Sequence, residues 1–145
     1  MCIRDRERQE IRARLKLQPE QDLFFSSISY SNSIFGKNKV LPLKDLQKRH
    51  FTLVTGIANP KPLVEFLKQT SSDFEYIAFP DHHNFSASEI KALRSKELIL
   101  TTEKDYMRLK NEIPEEKIFY LPIATRILES EEEFERRVLS FAQKK

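Results

Sequence analysis

Glycine is scarce in this sequence: among 145 residues only Gly36 and Gly56 are glycine. A phosphate-cradling P-loop needs two glycines five positions apart, followed by Lys and Ser/Thr. Gly36-Lys37 is followed by Asn38 and has Ser31 five positions earlier, while Gly56 is followed by Ile57, so neither fits. A dinucleotide-binding fingerprint needs three glycines and is excluded outright. Cysteine is scarcer still. Cys2 alone excludes an internal disulfide and any multi-cysteine metal knuckle. No apolar run approaches the roughly 20 residues that span a bilayer, and no signal-peptide pattern is visible, so the expectation is a soluble, cytosolic-type polypeptide. Charge of one sign is not segregated either. The 25 basic and 22 acidic residues interleave to a formal +3, which gives no nucleic-acid footprint.

What is present suits one ordinary domain: 39% of residues are hydrophobic and 32% charged. The stretch from Met1 to about Lys16 is charge-dense and reads as a solvated helix with Ile11 and Leu15 one turn apart. Its opening residues offer neither a cap nor an apolar pattern, as expected of a truncated start. Leu23 to Ile28 reads as a buried strand, followed by a polar turn at Ser31-Asn32-Ser33 and a short extended piece around Val40 that ends at Pro42.

From residue 50 a rhythm sets in. Phe51–Thr55 is a strand, and Asn59 caps a helix with Pro60 at its first position. Phe74–Phe79 is the next strand, and Ser86 with Glu89 forms a capping box for the helix carrying Ile90 and Leu93. Leu98–Leu100 is a third strand, and Thr102 with Asp105 opens a third helix. Lys117–Leu121 is a fourth strand stopped by Pro122. Ser130 with Glu133 forms a second capping box, for a last helix with Phe134, Val138 and Phe141 on one face. Strands alternating with helices predict a small α/β layer domain with a parallel sheet and flanking helices.

In an open parallel sheet, ligands bind beyond the carboxyl ends of the strands. Three loops leave that end: Gly56 to Pro60, Pro80 to Asn84, and Thr101 to Asp105. The second holds Asp81-His82-His83, two of the chain's three histidines. A metal is not expected, because adjacent histidines on a loop diverge and only His50 remains to help, short of zinc's three or four ligands. The manganese phosphoesterases named for this triplet depend on upstream aspartate motifs that are absent. Two readings stay open: an imidazole oriented by a carboxylate for proton transfer, or a polar turn in which Asp81 caps and the histidines fill a helix mouth. In the third loop Thr102 and Asp105 are explained by capping. Lys104 is not, since a cation beside a helix N-terminus is unfavourable unless an anion binds there. Lys104 is therefore an anion-site candidate, and His83, Thr102 and Asn59 on the same rim are carried with it as candidate phosphate- or substrate-binding residues.

The segments LVTGIANPKPLVEFL (53–67), FPDHHNFSASEI (79–90) and ILTTEKDYMRL (99–109), in this order and spacing, resemble the carboxyl-terminal portion of the tetraacyldisaccharide 4'-kinases. FFSSISYS (24–31) is similar to the last strand of that family's amino-terminal domain, and the variants have the flavour of the Bacteroidetes branch. The resemblance implies phosphoryl transfer from ATP, with Mg2+, to the 4'-hydroxyl of a tetraacyldisaccharide 1-phosphate. The setting it implies is lipid A biosynthesis at the cytoplasmic face of the inner membrane. It also implies a P-loop domain and a smaller α/β domain joined by a short β connector, with the active site in the cleft between them. On that pattern residues 1–31 are the tail of the nucleotide domain, 32–49 the connector and 50–145 the second domain. Asp81 and His82 match the family's aspartate-histidine motif, in which the histidine assists a catalytic aspartate of the nucleotide domain. This sequence lacks the P-loop, the Walker B motif, that aspartate and the membrane-contacting helix, so the 145 residues are expected to be inactive alone. The competing reading is a free-standing α/β module that captures an anion on the three-loop rim without chemistry.

Overall fold

The computed structural model describes residues 5–71 and 73–143. The chain divides into two compact units, residues 30–123 and residues 1–29 with 124–145.

The larger unit is built on a six-stranded sheet. Its strands are β2 (Ser33–Phe35), β3 (Val40–Pro42), β4 (Phe51–Thr55), β5 (Phe74–Ala78), β6 (Ile99–Thr101) and β7 (Ile118–Tyr120), β1 belonging to the smaller unit. The spatial order is β3-β2-β7-β6-β4-β5. The four strands β7, β6, β4 and β5 run parallel, while the β2–β3 hairpin adds antiparallel to the β7 edge. The expected α/β architecture is therefore present, with a mainly parallel sheet.

Strand alternation sorts the core into two layers. Phe51 and Leu53 of β4, with Leu98, Leu100, Phe119 and Leu121, pack with Leu63 and Leu67 of α2 (Lys61–Thr70). The intervening Val54, Ile99 and Ile118 pack on the opposite face. There they meet Ile90 and Leu93 of α3 (Ala87–Arg94) and Tyr106 and Leu109 of α4 (Glu103–Leu109). Side chains two apart on a strand share a face, so one strand feeds both layers. Every residue of β4 is buried, as a central parallel strand covered on both sides requires. The order also places a topological switch at β4: the chain leaves it for β5 on one side and later returns through β6 on the other.

Several local expectations need correction. Ser31-Asn32-Ser33 is not only a turn, because Ser33 opens β2 and pairs with Pro42. Gly36 then allows the hairpin to lie against β7, since a Cβ there would stand 3.1 Å from the Phe119 ring and 3.3 Å from the Ile118 carbonyl. Residues Leu43–Lys48 form a 3-10 helix that buries Leu43 and Leu46. Asn59 does not cap α2. The residue before the helix is Pro60, already in helical conformation, and no side chain caps that end.

The smaller unit comprises α1 (Asp5–Leu15), β1 (Ser26–Tyr30, extending one residue past the unit boundary), β8 (Ile123–Ile127, beginning one residue before it) and α5 (Glu131–Ala142). Residues 1–4 of the expected first helix lie outside the described residues. Strands β1 and β8 form a two-stranded sheet of their own. The buried strand expected over Leu23–Ile28 is shifted toward the carboxyl end and is largely exposed, with Ile28 54% accessible. The second capping box does not form: Ser130 takes a left-handed conformation (φ 54°) that makes no cap bond, and Glu133 pairs with Arg136 and Arg137 instead. Among the described residues neither α1 nor α5 buries a side chain, although Phe134 meets Phe24 edge-on at 5.3 Å. No helix among the described residues is long and apolar enough to cross a membrane.

Candidate functional site

Because β4, β5 and β6 are parallel, their three following loops emerge on one edge of the sheet. They do more than face the same way. The Gly56 amide donates to Asp105 Oδ2 at 2.8 Å, tying the first loop to the third. Lys104 Nζ donates to Asp81 Oδ1 at 2.7 Å, tying the third to the second. Arg108 Nη2 donates to the His82 carbonyl at 3.1 Å and to Asn84 Oδ1 at 3.2 Å. Lys104 and Arg108 are four apart on α4 and so present the same face to the histidine loop.

The histidine loop is a tight turn, closed by the His83 amide donating to the Pro80 carbonyl at 3.1 Å. Its third residue, His82, has φ 60°. A turn with positive φ at that position ordinarily takes Gly or Asn, because a Cβ there crowds the following carbonyl. His82 thus holds a conformation that costs about 1 kcal/mol relative to glycine. Strained backbone of this kind clusters at functional sites.

The two histidines separate sharply. His83 stacks on Phe79 (4.8 Å between centroids, 23°) and meets Phe85 edge-on at 5.3 Å. Its Nε2 lies 3.0 and 3.1 Å from the two Glu89 oxygens. Its side chain is 24% accessible, whereas that of His82 is 76% accessible. His83 is committed to fastening the turn onto α3, and His82 stands free at the rim. His82 Nε2 lies 3.7 Å from Asp81 Oδ2 and 3.4 Å from Lys104 Nζ. Asp81 titrates below the usual carboxylate range, chiefly through the Lys104 hydrogen bond and secondarily through the His82 charge, with desolvation opposing. The anion that answers Lys104 at the mouth of α4 is therefore the protein's own Asp81.

Thr102 caps α4: its hydroxyl accepts from the Asp105 amide at 3.2 Å and donates to Asp105 Oδ2 at 2.8 Å. Asn59 is exposed and has no hydrogen-bond partner among the described residues. The structure therefore brings Asp81, His82 and Lys104 together, while His83 and Thr102 are engaged in holding the loops. Two residues that sequence reasoning passed over matter here. Arg108 could have been found from its i+4 relation to Lys104. Asp105, fully buried, was legible only as a cap partner, since nothing in its neighbourhood announces the bond to Gly56.

At Ser86 both halves of the capping box are made, and Glu89 is held at about 2. The largest cause is the Ser86 amide, followed by His83 and the Ser86 hydroxyl, with burial opposing. A carboxyl depressed in the fold stabilises it above the ordinary value near 4.3, and that contribution fades as pH falls toward the folded value. The stability advantage of the native chain over Glu89→Gln is therefore expected to shrink between about pH 5 and about pH 2. Urea midpoints of the two proteins across that range measure it, and a gap independent of pH would contradict it.

Comparison with known proteins decides the family. A model of the tetraacyldisaccharide-1-P 4'-kinases matches residues 2–143. This chain belongs to that family. The tetraacyldisaccharide 4'-kinase of Flavobacterium johnsoniae is 36% identical over 135 residues, covering 91% of this chain and 39% of that protein. The enzyme of Bacteroides thetaiotaomicron is 34% identical over 157 residues, covering 92% and 41%. The chain thus spans about two-fifths of the length of these curated relatives. Among solved structures, the apo form of LpxK from Aquifex aeolicus in complex with ATP shares the fold, with a TM-score of 0.52 at 17% identity over 91% of this chain and 44% of that one.

Proposed function

We propose that these residues form the carboxyl-terminal part of a kinase of lipid A biosynthesis. The whole protein would transfer the γ-phosphate of ATP to the 4'-hydroxyl of tetraacyldisaccharide 1-phosphate at the cytoplasmic face of the inner membrane. The observation that carries this reading is the family match over residues 2–143. The strained, exposed His82 beside Asp81 supports it. On this reading residues 1–31 close a nucleotide-binding domain, 32–49 connect, and 50–145 form the second domain.

The residues present do not fit the phosphates of ATP or a Mg2+ ion. Neither glycine sits in a phosphate loop, and among the described residues no three His, Cys, Asp or Glu side chains gather as a metal site. Those groups would be held by sequence outside these 145 residues. What this chain supplies is positional. Phosphoryl transfer is catalysed mostly by positioning and charge, with a base orienting the attacking hydroxyl. His82 Nε2, steadied by Asp81, would accept a hydrogen bond or proton from the group that activates the sugar hydroxyl. Asp81, itself held by Lys104, would stabilise the imidazolium so formed. Lys104, Thr102, His83 and Asn59 remain the proposed phosphate- or substrate-side residues, with His83 and Thr102 acting through the loops they fasten.

The test is a chimera in which these residues replace the matching part of the Flavobacterium johnsoniae enzyme. The chimera is expected to phosphorylate tetraacyldisaccharide 1-phosphate, and the 145-residue chain alone is expected to show no ATP turnover. A folded chimera that binds ATP yet transfers nothing would overturn the proposal, as would robust turnover by the isolated chain. Anion capture without transfer would then favour a free-standing binding module.

A further inference from the structure

The face of the sheet covered by α3 and α4 carries a groove that the reading above touches only through His83, which lines it and fastens the turn. It has a volume of about 520 Å³ and is lined in part by Lys91 and Arg94 of α3, Arg108 of α4, Glu112 beyond it, and the apolar Phe85 and Ile90. Three cations and one carboxylate face this space. Arg94 is partly answered, since its Nε donates to the Glu112 carbonyl at 2.6 Å and its Nη2 lies 3.6 Å from the Glu112 carboxylate. Lys91 has no acidic partner among the described residues. Arg108 has none either: its Nη2 spends its bonds on two neutral acceptors, the His82 carbonyl and Asn84 Oδ1. Its other terminal nitrogen, Nη1, is buried and has no hydrogen-bond partner.

That pattern is uncommon. Nearly all buried polar atoms in folded proteins are paired, and an orphaned nitrogen on a charged group is the more costly exception. Other cations of this unit are answered, Lys104 by Asp81, Lys96 by Glu75 and Lys37 by Glu115, and those without an acidic partner among the described residues, such as Lys39, Lys44, Lys48 and Lys68, do not line the groove. Two uncompensated positive groups on one groove, one of them a guanidinium with a free donor, match the fork geometry that binds phosphate or carboxylate oxygens. The volume lies in the range of small-molecule sites and exceeds what a bare oxyanion fills. The Phe85 and Ile90 wall offers apolar contact to the remainder of such a ligand.

We propose that the α3–α4 groove binds a phosphomonoester, with Arg108 and Lys91 as the phosphate-binding residues. Nη1 is buried, so binding requires the Arg108 guanidinium to turn and present it to the groove. Because the same guanidinium holds the His82 carbonyl, occupancy would be felt directly by the strained turn. The site is distinct from the Asp81–Lys104 pair, and its test involves no phosphoryl transfer, so its failure and that of the kinase reading are separable.

The experiment is an amide NMR titration of the 145-residue chain with inorganic phosphate and with glycerol 3-phosphate. Sedimentation with phosphatidic acid vesicles, against phosphatidylcholine vesicles, accompanies it. Saturable shifts are expected at Asn84, Lys91 and Arg108, tighter for glycerol 3-phosphate than for phosphate, with α2 unmoved. Lys91→Glu, an exposed change on α3 that leaves the fold intact, is expected to weaken binding about tenfold, and Arg108→Gln at least as much. Selective capture by phosphatidic acid alone, lost in Lys91→Glu, would support the site and assign its ligand to a lipid headgroup. Absence of saturable binding to every probe would overturn the proposal, and so would binding unchanged in Lys91→Glu.

Discussion

Replacing His82 by asparagine in the chimeric kinase is expected to lower kcat by about two orders of magnitude while leaving the fold at least as stable. The two readouts move in opposite directions for separate reasons. Positioned proton-transfer groups contribute about 10²- to 10⁴-fold, and a histidine that assists another base belongs at the lower end. The backbone, however, is relieved by the change. His82 sits at φ 60°, where Asn is well tolerated and Gly is unstrained. His82→Gly is expected to change unfolding free energy by less than about 1 kcal/mol, because relief of the strain is offset by the greater freedom of glycine in the unfolded chain. Little packing is lost, because the imidazole is 76% accessible, with Asp81 and Lys104 its polar neighbours among the described residues. Steady-state kinetics and urea denaturation of the same variants settle the matter. Unchanged kcat would remove the role assigned to His82. A marked loss of stability would instead make it an ordinary structural residue, as His83 is.

The contrast between the two histidines shows how far the sequence could be read. The parallel core was legible because β4 is rich in apolar and β-branched residues and the starts of α3 and α4 carry true caps at Ser86 and Thr102. The common edge of the three loops followed from parallel strands alone. Which imidazole faces outward did not follow, since that depends on Phe79 and Phe85 closing around His83 and on Glu89 reaching back from α3. Elements held mainly by backbone pairing were also missed. Strand β2 is three residues long and begins inside a polar run. Strand β8 resumes immediately after Pro122 with four of its five residues exposed, so it has no apolar alternation to announce it. The false cap at Ser130 has the right residue types, but its backbone is left-handed and its side chain makes no cap bond.

Asp105→Ala is expected to destabilise the fold by about 3 kcal/mol and to disorganise all three loops together. Asp105 is fully buried, and its Oδ2 accepts from both the Gly56 amide and the Thr102 hydroxyl. Alanine strands the buried Gly56 amide, at about 1–3 kcal/mol, and frees the half-buried Thr102 hydroxyl, before any cavity is counted. Asparagine should cost less, about 1 kcal/mol, because its carbonyl oxygen can take the Oδ2 position and keep both bonds. The second oxygen, Oδ1, is buried without a partner and would stand 3.1 Å from a Cβ placed on Gly56. That approach leaves a side chain at position 56 little room unless Asp105 gives way. It also predicts that Gly56→Ala and Asp105→Ala are non-additive, since the smaller side chain makes room for the new methyl. Urea unfolding of the two single variants, the double variant and Asp105→Asn measures each part. If Asp105→Ala shifted stability by less than about 0.5 kcal/mol, the carboxyl would not be the clasp of the rim. In that case the Lys104–Asp81 pair, exposed and worth little by itself, and the Arg108 and His83 contacts would have to hold His82 in place.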